Sequence, residues 1–466
     1  MMDIKPRLFG KQIDDYDEEY LRAGIEIYNW LELKKVSGKD GIYFEVNPDA
    51  PLDYSNEPVH GKYGLYSGAS GIGFLLIRLF EITGEEKYLS EARLIAKELM
   101  SNVEGKVFYE NKLKSAPGSE LPITGWHTGV YSGPAGAGIF ALALYAKTKD
   151  QAYVRFAEKL GEDIVKSSKR DEFGLFLTED IDVFSDGGYI LYFISLYNAT
   201  NDQKYIDFAR DYARHIRKKA IAYGLGGAYY KANDIEKVGM PKGSIYPGFA
   251  HGSAGIGFLF AVLYEYDKKN WELEAAIEVA AFLEKIADKV GSGRLIPYVW
   301  GGESQKEYAG KYYLGFCHGP AGTSLLYKKL YDITNDKKYL EFTRELANGI
   351  LEAGAPEYNS WGLWNSYCSC CGTPGLIEYF AWLYEVLDDE VYLELAKRAA
   401  VKTISDSRKV KGGRCFFGHW DRTDPWDVQT YTGLYSGSSG AASNLLKLYG
   451  ILHGKKLTPF WEYSYM

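Results

Sequence analysis

The sequence predicts an all-α fold, a toroid of seven helical hairpins in an (α/α)7 arrangement. Three observations predict it. Seven related stretches, most with a GxxG pair, each run into an apolar segment ending in Leu-Tyr or Leu-Phe. A polar turn and an amphipathic segment follow each of the first six. The seventh copy ends without such a segment, and the N-terminal stretch has the pattern to supply it.

The copies are LYSGASGIGFLLIRLF (65–80), VYSGPAGAGIFALALY (130–145), VFSDGGYILYFISLY (183–197), FAHGSAGIGFLFAVLY (249–264), FCHGPAGTSLLYKKLY (316–331), SCCGTPGLIEYFAWLY (369–384) and LYSGSSGAASNLLKLY (434–449). The first glycine falls at Gly68, Gly133, Gly252, Gly319, Gly372 and Gly437, and Asp186 holds that place in the third copy. The apolar segments predict buried inner helices. Segments such as NATNDQKYIDFARDYARHI place apolar residues three and four apart among charges, so they predict outer helices with one wet face. The unit is then an αα-hairpin. A helix at about 16–34, in DYDEEYLRAGIEIYNWLEL, would close the ring, with residues 1–466 forming one domain. An open solenoid is the alternative and would need polar caps at its ends. At these loop-to-helix junctions glycine permits φ > 0 and close backbone approach.

Composition narrows the function. The chain has 466 residues, 46% hydrophobic, with a formal charge of −8, which argues against nucleic acid as the main partner. The N-terminus has no signal-peptide apolar region, and no apolar run is long enough to span a bilayer, so a cytoplasmic location is expected. Four of the five cysteines lie between 317 and 371, which fits reduced thiols or metal ligands better than a disulfide scaffold.

Function should show where the copies differ. The residue before the first glycine position is Ser67, Ser132, Ser185, His251, His318, Cys371 and Ser436; the one before that is Tyr66, Tyr131, Phe184, Ala250, Cys317, Cys370 and Tyr435. Only the fourth, fifth and sixth copies carry ligand-type side chains. In a closed ring these copies are neighbours, so Cys317, Cys370 and Cys371 would converge, with His251 and His318 beside them. Three thiolates, or two with an imidazole, plus an open position suit a catalytic Zn2+. The competing explanation is that they are small core residues, since free cysteine is often buried. That explanation is the one adopted for Cys368, which is off-register, and Cys415. His127 and His419 precede a copy and either line the same cavity or are ordinary loop histidines. His60, His215 and His453 give no reason for a functional role.

Together these motifs resemble the lanthionine synthetase C-like family, from about Gly61 to Leu452: an HG in the fourth copy, a Cys loop in the fifth and a doubled ligand in the sixth. The resemblance implies a double α-barrel with zinc at the centre of one end. It implies an enzyme that binds a peptide cysteine to zinc as thiolate and adds it to dehydroalanine or dehydrobutyrine, forming a thioether. Position by position, Cys317, Cys370 and Cys371 match the zinc ligands, in a three-cysteine variant of the commoner Cys-His form. His251 matches the active-site histidine, Asp182 an active-site aspartate, and His318 the residue after the first ligand. The family's cyclases carry an Arg four residues before that ligand; here it is Tyr313, and Lys311 and Arg414 are the cations available to replace it. The implied partners are a dehydrated peptide or a glutathione-type thiol, and a separate dehydratase, because the fused dehydratase and kinase modules are missing. Two other readings follow from the same features: a zinc-binding scaffold that has lost the chemistry, and an α/α-toroid glycosidase. The loops offer Cys and His rather than the paired carboxylates glycosidases use.

Overall fold

The computed structural model describes residues 7–8, 11–12, 16–49, 59–103, 113–116, 119–121, 128–224, 226–232, 241–357, 363–364, 366–418, 428–459 and 462. Its long helices are α1 (Asp17–Glu32), α2 (Ala69–Thr83), α3 (Glu86–Asn102), α4 (Pro134–Thr148), α5 (Gln151–Ser167), α6 (Gly188–Thr200) and α7 (Lys204–Arg217). They continue as α8 (Ser253–Asp267), α9 (Asn270–Ile286), α10 (Pro320–Thr334), α11 (Lys338–Glu352), α12 (Thr373–Leu387), α13 (Glu390–Asp406) and α14 (Ser438–Leu452). Even-numbered helices are the apolar segments of the seven copies, and odd-numbered ones are amphipathic. The fold class read from the repeats is the one observed.

Each hairpin turns in two or three residues. The six inner helices that lead into an outer one end at a residue in the left-handed region: Gly84, Lys149, Asn201, Lys268, Asn335 and Asp388. In each, the N–H of that residue donates to a carbonyl four residues back, for example Asn201 to Tyr197 at 2.7 Å. Inner helices bury nearly their whole circumference; α8 buries Ser253 through Leu263 without a break. Outer helices bury one stripe. In α7 this is Tyr205, Ile206, Ala209, Tyr212, Ala213 and Ile216, with Asp207, Asp211 and Arg214 on the other side.

The GxxG glycines work differently from the expectation of positive φ. At Gly68, Gly133, Gly252, Gly319, Gly372 and Gly437 the backbone is extended, with φ between −93° and −150°. The constraint is closeness alone. A Cβ on Gly372 would lie 1.6 Å from the carbonyl oxygen of Ser366, and one on Gly440 would lie 1.8 Å from that of Leu434. Both glycines of a pair press on the loop that leads into their own helix.

Short antiparallel ribbons follow most outer helices: Lys35–Ser37 with Ile42–Phe44, Lys169–Arg170 with Leu175–Phe176, Ala220–Tyr223 with Gly227–Tyr230, Asp288–Val290 with Gly293–Leu295, and Arg408–Val410 with Gly413–Cys415. They carry the chain from the outer layer back to the next inner helix.

The chain divides into two compact units: Met1–Asn102 with Pro356–Tyr358 and Asn365–Phe460, and Val103–Ala355 with Asn359–Trp364 and Trp461–Met466. In the first, α14 packs on α1, α2 and α12. Gly24 of α1 faces Leu446 so closely that a Cβ would lie 2.9 Å from its Cγ. The N-terminal helix is therefore the outer partner of the seventh inner helix. The core of this unit contains charge as well: Glu378 lies 3.7 Å from Arg78 and 3.3 Å from Lys447, all three essentially inaccessible to solvent. In the second unit α4 to α11 form four successive hairpins, and α8 packs on α6, α7, α9 and α10. Among the described residues no helix is long and apolar enough to cross a membrane.

Candidate active site

In the second unit, the loops before α6, α8 and α10 bring most of the expected site residues together. Asp182, in the first of these loops, is buried; its Oδ2 lies 3.0 Å from Nδ1 of His251, in the second. This contact commits Nδ1 of His251 to the carboxylate. The His251 side chain keeps 18% exposure. Phe184 stands edge-on to the His251 ring at 5.0 Å, which fixes the ring's plane.

His318, in the third loop, is enclosed by aromatic rings. Tyr246 lies 4.6 Å away, Tyr298 5.0 Å, Tyr313 5.1 Å and His251 5.5 Å between centroids. Burial first, and the neighbouring His251 second, hold His318 well below the ordinary histidine range, so its ring is neutral. Its Nδ1 is buried with no hydrogen-bond partner among the described residues. Tyr313 stacks on Tyr298 at 4.1 Å, and the Tyr298 hydroxyl donates to that of Tyr246 at 3.2 Å. Where the family's cyclases have Arg, this chain therefore has a wall of tyrosine. Lys311 is next to this wall: its carbonyl accepts the Tyr298 N–H at 3.1 Å, and its ammonium lies over the Tyr308 ring at 4.7 Å. Cys317 is buried, and its carbonyl accepts the Ala250 N–H at 2.6 Å.

In the first unit, Cys370 and Cys371 are buried in the turn before α12. The Cys370 N–H donates to the Tyr435 carbonyl at 3.1 Å, and the Tyr435 N–H donates to that of Tyr66 at 2.9 Å. Ala250, Cys317, Cys370, Tyr435 and Tyr66 all occupy the second residue before the first glycine. The same backbone bond at that register thus sets three of these loops against the next copy's. The thiols ride on this scaffold at inner-helix N-termini, where the helix favours negative charge.

Arg414 is placed in the first unit and is committed there. It is buried, donating to Glu26 Oε2 at 2.9 Å and to the Ile404 carbonyl at 3.2 Å, and so ties α1 to α13. His127 and His419 lie outside the described residues. His215 is buried against Asp171 at 2.9 Å, a structural pairing. Tyr246 and Tyr298 are site residues that sequence reasoning missed; neither sits in a repeated motif, so no register marked them.

The profile of the lanthionine synthetase C-like proteins matches residues 60–457. The chain belongs to the lanthionine synthetase C-like family. Among solved structures, nisin cyclase is similar over 97% of both chains, with 18% identity and a TM-score of 0.62, a likeness that shows the shared α/α-toroid fold. An unsaturated glucuronyl hydrolase specific for heparin (12% identity, 95% of this chain and 100% of that one, TM-score 0.46) and a sugar epimerase from a ruminal bacterium (13%, 96% and 100%, 0.47) resemble it less. A search of curated protein sequences finds no match. In this chain the fourth, fifth and sixth copies replace the serine before the first glycine with histidine or cysteine.

Proposed function

We propose that this lanthionine synthetase C-like protein is a zinc-dependent, thioether-forming enzyme that adds a cysteine thiol to dehydroalanine or dehydrobutyrine in a peptide. What carries the reading is a part-exposed histidine, held by a buried aspartate, on the repeat adjoining the first cysteine loop. Cys317, Cys370 and Cys371 are each buried, at the matching register of the fifth and sixth copies, and are the thiols we assign to one metal ion. Three thiols are a zinc-type donor set, and with a fourth position open they make a catalytic rather than a structural site. When bound, zinc lowers the pKa of a thiol that coordinates it.

The protein's own residues do the rest. In the addition, the thiol sulfur bonds to the β-carbon, the C=C π pair moves to the α-carbon, and a proton must arrive there. His251 Nε2 is the proton carrier, and Asp182 fixes its tautomer and stabilises its charged form. His318, neutral and with Nδ1 unpartnered, offers a hydrogen bond to a substrate amide. Tyr313 and Lys311 flank the peptide, and the tyrosine wall excludes water from the enolate.

Two measurements test this. Elemental analysis of the purified protein should find about one zinc per chain, as a single three-thiol centre would hold. Incubation with a dehydrated, cysteine-containing peptide should consume the free thiol, followed by alkylation and mass spectrometry. Bound zinc with no thiol loss from any dehydrated peptide, and none from glutathione with a dehydroamino acid, would refute the enzymatic reading; absence of metal would refute the centre itself.

A further inference from the structure

The fourth residue before the first glycine is a second informative register. It is Gly64, Gly129, Gly248, Gly315 and Gly433 in five copies. The reason is steric. A Cβ on Gly129 would lie 1.9 Å from the Phe184 carbonyl oxygen, one on Gly248 2.5 Å from the His318 Cα, and one on Gly433 2.5 Å from the Ser67 Cα. Two copies carry a side chain there nonetheless. One is Asp182, which holds His251. The other is Cys368.

Cys368 is buried and faces its own loop. Its Sγ accepts the Cys371 N–H at 3.3 Å and lies 3.0 Å from the Ser366 hydroxyl, and its carbonyl accepts the Gly372 N–H at 2.9 Å. The sequence Cys368-Ser-Cys-Cys371 is thus a C-x-x-C folded as a single turn. A disulfide joins α-carbons roughly 4.4–6.8 Å apart, and this turn, with the Cys371 N–H on Cys368 Sγ at 3.3 Å, holds the two residues close. A cavity of about 20 Å³ reaches Cys368, past Tyr367, Phe416, Gly418 and Ser436. That is space for one molecule about the size of water, and the part-exposed Tyr367 and Gly418 stand on its rim.

We propose that Cys368 and Cys371 are a redox pair, in which a hydroperoxide closes a disulfide that withdraws Cys371 from metal binding. Cys368 Sγ attacks the O–O bond of hydrogen peroxide, becoming a sulfenic acid and releasing water. Cys371 Sγ then attacks Cys368 Sγ, the S–S bond forms, and hydroxide leaves, becoming a second water with the Cys371 thiol proton, or with a solvent proton when Cys371 starts as a metal-bound thiolate. Two thiols are oxidised by two electrons and one peroxide is reduced to two waters. A dithiol reductant reverses the step. The metal-release half rests on the proposed metal centre, whereas disulfide formation does not.

The test treats the reduced, full-length protein with one equivalent of hydrogen peroxide and maps disulfides by mass spectrometry without reduction. A linked Cys368–Cys371 peptide is expected. Zinc, read with a chromogenic chelator, should leave in step with it and rebind after dithiothreitol and added zinc. Cys368→Gly restores the glycine that five copies carry, so it should fold and keep its metal. In that variant peroxide-driven zinc release should slow at least tenfold and no longer be reversed by dithiothreitol. A disulfide joining Cys370 to Cys371, an intermolecular one, or reversible release at an unchanged rate in Cys368→Gly would overturn the proposal. Protein that forms the Cys368–Cys371 bond but never carried zinc would leave the redox pair standing and refute the metal centre instead.

Discussion

Replacing Asp182 with Asn isolates the dyad proposed for proton transfer. The two side chains are nearly isosteric and Asp182 is buried at the foot of α6, so the loop should keep its course. What the change removes is the charge facing His251 Nδ1 at 3.0 Å. A hydrogen bond to a charged group contributes about 1.5–3 kcal/mol. If that interaction is made to the protonated imidazole in the transition state, its loss slows the chemical step by roughly 10–150-fold, since about 1.4 kcal/mol is tenfold in rate. The assay is thiol consumption from a dehydrated peptide under single-turnover conditions, with zinc content and peptide affinity measured alongside. Both of those should be unchanged, so that the loss falls on the rate constant alone. An Asp182→Asn protein within about twofold of the parent rate would refute the reasoning, as would loss of zinc in parallel with activity. Asp186 is the control in the same loop. It accepts the N–H groups of Leu177 at 2.7 Å and Thr178 at 2.9 Å, so Asp186→Asn should weaken the fold and spare the rate of the folded fraction.

Four other outcomes are expected. Cys371→Ala should drop zinc from about one per chain to near zero by elemental analysis, with the helical circular dichroism spectrum retained. Glu378→Leu removes the carboxylate that Arg78 and Lys447 share, leaving Lys447 only Glu385 Oε2 at 3.5 Å, at a cost of about 3–5 kcal/mol in chemical denaturation; adding Lys447→Met should recover part of it, and strict additivity of the two changes would refute the coupling. Gly372→Ala drives a methyl group to 1.6 Å from the Ser366 carbonyl oxygen and should cost about 2–3 kcal/mol, whereas a neutral result would show that the loop relaxes freely. Glu272 is pushed up to about 9 by burial and then by its hydrogen bond and proximity to Asp267. The folded chain therefore holds a proton that the unfolded chain releases near pH 4.5, and stability falls as pH rises from there towards 9; Glu272→Gln should flatten that slope in pH-dependent thermal melts.

Periodicity made the hairpins legible because helices of 13 to 17 residues sample several turns, and the inner and outer patterns contrast sharply. The closing role of α1 followed from the missing partner of the seventh copy. The ribbons were not legible: strands of two to four residues are too short for alternation to register, although KVGSGRL and KVKGGRC are recurring turn signals that mark two of them. The GxxG sequence predicted glycine but not its reason, since positive φ and close approach require the same residue, and only the backbone separates them. At the site, repeat register picked out His251, His318 and the cysteines because each replaces a serine or an aromatic residue. It had no purchase on Tyr246 and Tyr298, which lie in connecting segments without a counterpart in other copies. Arg414 illustrates the opposite error: a cation near the right motif in sequence is spent on Glu26 and the Ile404 carbonyl.

The two side chains at the crowded register carry the strongest argument for where this fold does chemistry. Neighbouring loops approach so closely there that Gly129, Gly248 and Gly433 leave no room for a Cβ. A side chain at such a point is set directly against its surroundings rather than in solvent. Asp182 uses the position to reach His251 in the next copy. Cys368 lies in the same place relative to the doubled cysteine and reaches Cys371. One position, altered twice in seven copies, thus touches both the proposed proton carrier and a proposed metal ligand. A Cys368→Gly protein that behaves identically to the parent under oxidation would break that parallel and leave Asp182 as its single instance.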